Sequence, residues 1–81
     1  MSVLTVRYFA GARAAAGVPA ETTSAATLDE LVHSLTDLHG ERLGVVLKAA
    51  SFLVDGLACH DRHAALPSEA TVDVLPPFAG G

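Results

Sequence analysis

The sequence TLDELVHSLTDLHG, residues 27–40, carries the local signal that decides the fold. Thr27 and Glu30 form a capping box, in which the Thr27 hydroxyl accepts from the Glu30 amide and Glu30 reaches back to the Thr27 amide. Gly40 stands where a left-handed C-cap is favoured. The pattern predicts a helix that begins at Leu28 and turns one apolar stripe towards a sheet. The stripe has helical spacing and consists of Leu28, Leu31, Val32, Leu35 and Leu38.

Strand signals lie on both sides of this helix. Residues 3–9, VLTVRYF, are rich in β-branched and aromatic side chains and predict a first strand. The polar residues 18–24 predict an exposed edge strand that returns beside it. After the helix, SFLVDG at 51–56 predicts a strand that enters a tight turn, with a short return strand at 57–59. Residues 71–75, TVDVL, alternate as a half-buried strand does, and the prolines that follow end it.

Two segments have weaker patterns. Residues 10–17, AGARAAAG, predict a loop with at most one helical turn, and residues 42–50, RLGVVLKAA, are compatible with a short helix or with irregular structure. The order of the elements favours an α+β fold, with a mixed sheet and one main helix packed across it. We expect residues 1–75 to form one domain and residues 76–81 to form an extended C-terminal tail.

Composition narrows the classes of function. The 81 residues are 51% hydrophobic and 17% charged, which predicts one folded domain with a shallow core. The net charge of −4, without a basic stripe, argues against nucleic acid as a partner. No apolar run approaches the roughly 20 residues of a membrane span, and the N-terminus lacks a signal-peptide pattern. A single cysteine, Cys59, excludes an internal disulfide. We therefore expect a cytoplasmic protein that binds neither nucleic acid nor membrane.

The segment CHDRH, residues 59–63, suggests a zinc site at first sight. Cys59 and His60 are adjacent, so on an extended segment they point to opposite faces, and no second ligand pair has finger-like spacing. The pattern favours a polar loop and no metal. His33 and His39 fall on or near the helix, where we expect them to be solvated. Neither a nucleophile elbow around Ser51 nor a glycine-rich phosphate loop is present.

The chain ends in a six-residue segment whose composition is unusual for a frayed end. The two prolines fix φ and favour an extended stalk, whereas the two terminal glycines lack Cβ atoms and can pass through a narrow channel. At about 3.3 Å per residue the segment reaches roughly 20 Å, which is enough to enter a pocket of a partner. The segment consists of Pro76, Pro77, Phe78, Ala79, Gly80 and Gly81.

Two stretches, VRYFAGARAAAG at 6–17 and VDVLPPFAGG at 72–81, resemble the MoaD/ThiS family of ubiquitin-like sulfur carriers. The likeness is greatest to MoaD, the small subunit of molybdopterin synthase, and it implies a β-grasp (ubiquitin-like) fold. Two turns depart from the family pattern. Asp55-Gly56 replaces Asn-Gly after the third strand, and Glu69-Ala70 replaces Gly-Asp before the last one, which we expect to reshape the second turn.

The resemblance also implies a reaction and its partners. The Gly81 carboxylate would be adenylated with ATP by a ubiquitin-activating-type adenylyltransferase (MoeB-like) and then converted to a thiocarboxylate with sulfur from a donor protein. The large subunit of molybdopterin synthase (MoaE-like) would use that sulfur in molybdenum cofactor biosynthesis. Gly81 and Gly80 would carry the chemistry, and residues 76–79 and Arg13 would contact partners. The chain would bind no cofactor itself and would act as a protein cosubstrate rather than as a catalyst.

Two alternatives remain open at this point. A sulfur carrier for thiazole or cysteine biosynthesis would use the same tail chemistry with another acceptor. A ubiquitin-like protein modifier, or a simple interaction module, would use the same fold without delivering sulfur.

Overall fold

A computed structural model describes residues 3–76, which contain five strands and three helices. In chain order these are β1 (Val3–Tyr8), α1 (Ala10–Ala16), β2 (Ala20–Ser24), α2 (Leu28–His39), α3 (Glu41–Ala49), β3 (Ser51–Val54), β4 (Leu57–Ala58) and β5 (Thr71–Leu75). The α+β class predicted from the sequence is confirmed. The predicted bounds of domain and tail stay a prediction.

The strands form one mixed sheet in the order β2-β1-β5-β3-β4. The first and last strands lie side by side at its centre and are parallel, whereas β2, β3 and β4 join by antiparallel pairing. Helix α2 provides much of the core that covers one face, and α1 and α3 pack beside it. This is the β-grasp arrangement. Its largest fully buried side chains are Leu4, Val6, Leu28, Leu31, Leu35, Leu43, Leu47, Val72 and Val74.

Helix α2 begins at Leu28, as predicted. The Thr27 side chain accepts from the Glu30 amide at 3.2 Å, and Leu28, Leu31, Val32 and Leu35 are buried. The return bond from the Glu30 side chain is not among the hydrogen bonds of residues 3–76. Only one of the two hydrogen bonds of the predicted capping box is therefore present in this part of the chain.

The last turn of α2 differs from the prediction. Leu38 is 63% exposed. At 3.6 residues per turn it lies about 80° from Leu28 around the helix axis, whereas His39 lies about 20° away and occupies the buried face instead. The prediction that His39 is solvated is therefore wrong, although His33 is exposed as expected. Gly40 has φ 95° and ψ −178°, which is not the predicted left-handed helical cap, because α3 begins at the next residue.

Two segments are more helical than their sequence indicated. The predicted loop at 10–17 is the two-turn helix α1, which buries Ala12 and Ala16 and ends at Gly17 in the left-handed conformation. The segment left open at 42–50 belongs to α3. Gly44 does not break this helix but allows it to approach α2, because an added Cβ would lie 2.8 Å from the Thr36 Cγ2 atom.

Strand β5 is more buried than predicted. It lies between β1 and β3, and Asp73 is buried along with its two valine neighbours. The expected half-buried pattern fails because the side chain of Arg7 covers Asp73 on the face of the sheet that the helices leave open.

Two turns, one between β3 and β4 and one before β5, contain residues with a left-handed backbone conformation. Asp55 and Gly56 have φ of 50° and 85°, which suits the predicted tight hairpin between β3 and β4. Glu69, where the family pattern has glycine, has φ 61°. The turn before β5 therefore has a residue with a Cβ in the left-handed conformation that glycine adopts most readily, and the expected reshaping of this turn stays a prediction.

Candidate functional site: the base of the C-terminal tail

The predicted tail begins at the centre of the sheet. Because β5 runs parallel to β1, both strands end at the same edge, where β1 continues into α1. The Phe9 amide donates to the Val74 carbonyl at 3.2 Å and ties the two strands together at this point. Leu75 and Pro76 are partly buried. The tail therefore starts from a position that the ladder holds on both sides.

Most of the predicted tail residues lie outside the described residues. This applies to Pro77, Phe78, Ala79, Gly80 and Gly81. Of the predicted site residues, the structure places Pro76 and Arg13, both at the edge of the sheet where β1 and β5 end. Their roles in partner binding stay predictions.

Arg13 lies on the exposed side of α1. It lines two neighbouring surface clefts, of about 440 and 330 Å³, together with Ala10 and Pro19. The backbone of α1 is anchored by its C-cap, where the Gly17 amide donates to the Arg13 carbonyl at 2.9 Å. The guanidinium is thus presented from a helix and not from the loop that the sequence predicted.

An ion pair that the sequence analysis missed lies next to Arg13. Arg7 of β1 and Asp73 of β5 are register partners, and the guanidinium binds the carboxylate through two bonds, Nε to Oδ1 at 2.6 Å and Nη2 to Oδ2 at 2.8 Å. The hydrogen bond to Asp73, followed by its negative charge, raises the pKa of Arg7. The Arg7 guanidinium also lies over the Phe9 ring, 5.8 Å from its centroid. The sequence signal for this pair was Asp73 itself, a charged residue between two valines in the last strand.

A second polar cluster lies on the helix-covered face. The Tyr8 hydroxyl donates to Glu21 Oε2 at 2.6 Å, and His39 Nε2 contacts the same oxygen. Burial, and then the hydrogen bond to Glu21, raises the pKa of Tyr8 above its usual range. The three side chains come from β1, α2 and β2, so the cluster fastens the edge strand and the end of the helix to the sheet.

The CHDRH segment forms a local turn. The Asp61 side chain accepts from the His63 amide at 2.9 Å, and the Cys59 thiol donates to the Asp61 carbonyl at 3.6 Å. Arg62 lies 3.5 Å from the Asp29 carboxylate at the start of α2. In the part of the chain that the structure describes, no three His, Cys, Asp or Glu residues are close enough to hold a metal ion. The same part contains no helix long and apolar enough to cross a membrane.

Comparison with known proteins decides the family. The model of the ThiS family matches residues 6–81. The chain belongs to the ThiS family. The resemblance seen in its two sequence stretches is confirmed, and the match covers the final strand and the predicted tail.

Solved structures share the fold of this ThiS-family chain. The small archaeal modifier protein 1 (SAMP1) from Methanosarcina acetivorans superposes with a TM-score of 0.84 at 24% identity, over 100% of this chain and 98% of that one. SAMP1 from Haloferax volcanii gives 0.82 at 20% identity, over 99% and 100%. A complex of subunits 1 and 2 of the molybdopterin-converting factor from Helicobacter pylori contains a chain that gives 0.74 at 22% identity, over 98% and 99%. No curated protein matches the chain.

Proposed function

We propose that this ThiS-family chain is a sulfur carrier whose Gly81 carboxylate is the reacting group. The carboxylate attacks the α-phosphate of ATP in a partner of the ubiquitin-activating type, pyrophosphate leaves, and a mixed anhydride with AMP remains. A hydrosulfide ion, HS⁻, supplied by a donor protein then attacks the carbonyl carbon, the bond to AMP breaks, and the product is a C-terminal thiocarboxylate. Adenylation is required because a carboxylate is a poor acyl donor.

The position of the tail at the end of β5 is the observation that carries this proposal. The strand is paired on both sides, so the base of the tail at Leu75 and Pro76 is fixed at the edge of the sheet. A fully extended segment of five residues, at about 3.3 Å per residue, can span at most roughly 17 Å. A partner can therefore hold the domain and insert the terminal glycines into its own active site.

The role that we assign to this carrier is that of the small subunit of molybdopterin synthase. A larger subunit would bind the tail and transfer the thiocarboxylate sulfur to a molybdopterin precursor. The Helicobacter pylori structure, a complex of subunit 1 with subunit 2, supports a second subunit as the partner of a chain of this fold. The chain itself binds no cofactor in this scheme, and ATP is used by the activating partner. The proposal places the reaction in the cytoplasm, where ATP is available.

A test of the reaction uses the terminal residue. Deleting Gly81, or replacing it with Ile, should abolish ATP–pyrophosphate exchange with an adenylyltransferase of the ubiquitin-activating type from the same organism. Deletion moves the carboxylate back by about 3.5 Å, and misplacement by even about 1 Å can cost a hundredfold in rate. A thermal melt of each variant serves as the control, and we expect it to be unchanged. Exchange at the normal rate by the truncated chain would contradict the proposal.

A second candidate function is that of a ubiquitin-like modifier joined to lysine side chains. The observation in its favour is the close superposition on two SAMP1 structures, which are named as modifiers. Intact mass spectrometry of the chain from its native cells separates the two functions. A carrier is recovered free and heavier by the difference between sulfur and oxygen, whereas a modifier is recovered as conjugates. Sulfur delivery in thiazole or cysteine biosynthesis would give the first result, and the native partner that co-purifies would identify the acceptor.

A further inference from the structure

The smaller of the two clefts beside the tail base has an unusual lining. It is formed by the end of β1 and by its neighbours in α1 and β2, with a volume of about 330 Å³. Two of the five Lys and Arg residues of the chain, Arg7 and Arg13, line it. None of the described residues that line it is acidic, although the chain has a net charge of −4. The cleft therefore concentrates cationic hydrogen-bond donors in an otherwise acidic protein.

Arg7 is held in this cleft by Asp73. A guanidinium carries five N–H donors in a rigid fork, and the bidentate pair with Asp73 uses one edge of it. The Asp73 side chain is 9% exposed, whereas that of Arg7 is 53% exposed. The buried carboxylate thus fixes the orientation of the guanidinium and leaves its other donors accessible.

Phe9 and Arg13 complete the cleft. Phe9 is 40% exposed, and its ring lies beneath the Arg7 guanidinium, which restricts the plane of that group. Asp73 offsets the charge of Arg7, so Arg7 contributes directed hydrogen bonds more than net charge. Arg13 has no ion-pair partner among residues 3–76 and adds an uncompensated positive charge.

The cleft lies beside the origin of the tail. Tyr8 is the register partner of Val74, and Phe9 donates to the Val74 carbonyl. Pro76 follows two residues later. A protein that encloses the tail therefore comes within reach of Arg7 and Arg13 at the same time.

We propose that this cleft binds an acidic segment, with Asp or Glu carboxylates, on the protein that adenylates the tail. Arg7 and Arg13 are the contact residues, and Asp73 is a positioning residue that acts through Arg7. A carboxylate matches the fork of Arg7 in geometry and the free charge of Arg13 in sign. The inference rests on the proposed function, because it takes the activating partner as the occupant.

The test measures ATP–pyrophosphate exchange against carrier concentration. Arg7→Leu alone leaves the buried Asp73 carboxylate unpaired and lowers the melting temperature, so the informative variant is the double substitution Arg7→Leu with Asp73→Leu. It removes both charges together and should stay folded. We expect its KM for the carrier to rise about tenfold or more, which corresponds to the loss of a charged hydrogen bond, with kcat preserved. Arg7→Lys keeps the charge but loses the fork, and its KM should rise as well.

Arg42→Leu is the matched control, because Arg42 is exposed on α3 and does not line the cleft. Its KM should equal that of the unaltered chain. Salt should raise the KM of the unaltered chain and of the double variant to a similar extent, because both keep Arg13, which carries the uncompensated charge. A folded double variant with an unaltered KM would overturn the inference and leave the proposed function intact. Absence of exchange with the unaltered chain would instead count against the proposed function, and with it against the inference.

A second arm titrates the isotope-labelled chain with inorganic phosphate and follows its amide signals. We expect no saturable shift around Arg7 and Arg13, because the site is proposed for carboxylates on a protein surface. Saturable binding of phosphate there would mean that a small anion occupies the cleft, and would overturn the assignment to an acidic protein segment.

Discussion

The two faces of the central strand pair are built in different ways. On the face that the helices cover, β1 and β5 contribute the fully buried apolar side chains of Leu4, Val6, Val72 and Val74, and β1 ends there with the buried ring of Tyr8. On the open face the same strands contribute Thr5, Arg7, Thr71 and Asp73. The covered face is stabilised by the apolar area that it removes from water, whereas the open face buries a carboxylate and compensates it with a half-exposed arginine.

This difference has a functional consequence. An apolar surface on the open face would have to be covered by a partner or by another copy of the chain. A paired arginine can remain in water and still offer hydrogen bonds to a partner. The open face therefore suits the sulfur carrier that we propose, which must be released by one protein before it binds the next.

The largest effect is expected on the covered face. Leu35→Ala should lower the free energy of unfolding by about 2–5 kcal/mol, because Leu35 is fully buried in the core. Leu38→Ala is the matched control in the same helix, and it should change stability by less than about 0.5 kcal/mol because Leu38 is exposed. Urea denaturation of the two variants measures both values. Equal losses would mean that the helix does not cover the sheet in the way described.

The sequence predicted those parts of the fold whose signals are local. The cap at Thr27 and the leucine spacing are contained within one turn or two of helix, and they located α2 correctly. The role of Gly44 depends on Thr36 of another helix, so from sequence alone the same glycine looked like an interruption. The glycines of residues 10–17 led to the prediction of a loop where the structure has helix α1. The burial of Ala12 and Ala16, which stabilises this helix, depends on the tertiary structure and has no signal in the sequence.

The candidate site divides in the same way. The tail residues form one continuous motif, which is why they could be proposed from the sequence. Arg7 and Asp73 lie 66 positions apart and meet only through the parallel pairing of the first and last strands. The alternation in β5 placed Asp73 correctly on the face away from the valines, but its burial depends on a side chain from the other end of the chain.

A moderate loss of stability is expected from a substitution at the contact between α2 and α3, two of the helices on the covered face. Gly44→Ala places a Cβ against Thr36 Cγ2, and the Thr36 hydroxyl donates to the Val32 carbonyl at 2.8 Å, which restrains its rotamer. We expect overpacking to cost about 1–3 kcal/mol, offset by about 1 kcal/mol from the better helix propensity of alanine. The net change in the free energy of unfolding should be a loss smaller than that of Leu35→Ala.

The rescue experiment for this contact adds Thr36→Ser, which keeps the hydroxyl and removes Cγ2. In that background the clash with Cγ2 is gone and the hydroxyl oxygen remains 3.3 Å from the added Cβ, so Gly44→Ala should lose most of its destabilising effect and gain up to about 1 kcal/mol from helix propensity. A loss of stability that persists in the serine background would show that this contact does not set the distance between α2 and α3.

The smallest expected effect on the free energy of unfolding concerns the turn that precedes β5, the strand whose side chains contribute to both faces of the sheet. Glu69 has φ 61°, and the turn is closed by the Ala70 amide, which donates to the Pro67 carbonyl at 3.3 Å. The Ala70 carbonyl in turn accepts from Thr5 in β1, so the turn sets the start of the parallel pairing. A left-handed residue with a Cβ costs about 1–2 kcal/mol, and glycine removes this cost at an entropic penalty of about 0.5–1 kcal/mol. Glu69→Gly should therefore raise the free energy of unfolding by about 0.5 kcal/mol.

Glu69→Ala is the control, because alanine has the same Cβ strain and should bring no gain. Denaturant midpoints of the three chains compare them, and a gain with alanine equal to that with glycine would show that charge removal, and not backbone strain, is the cause.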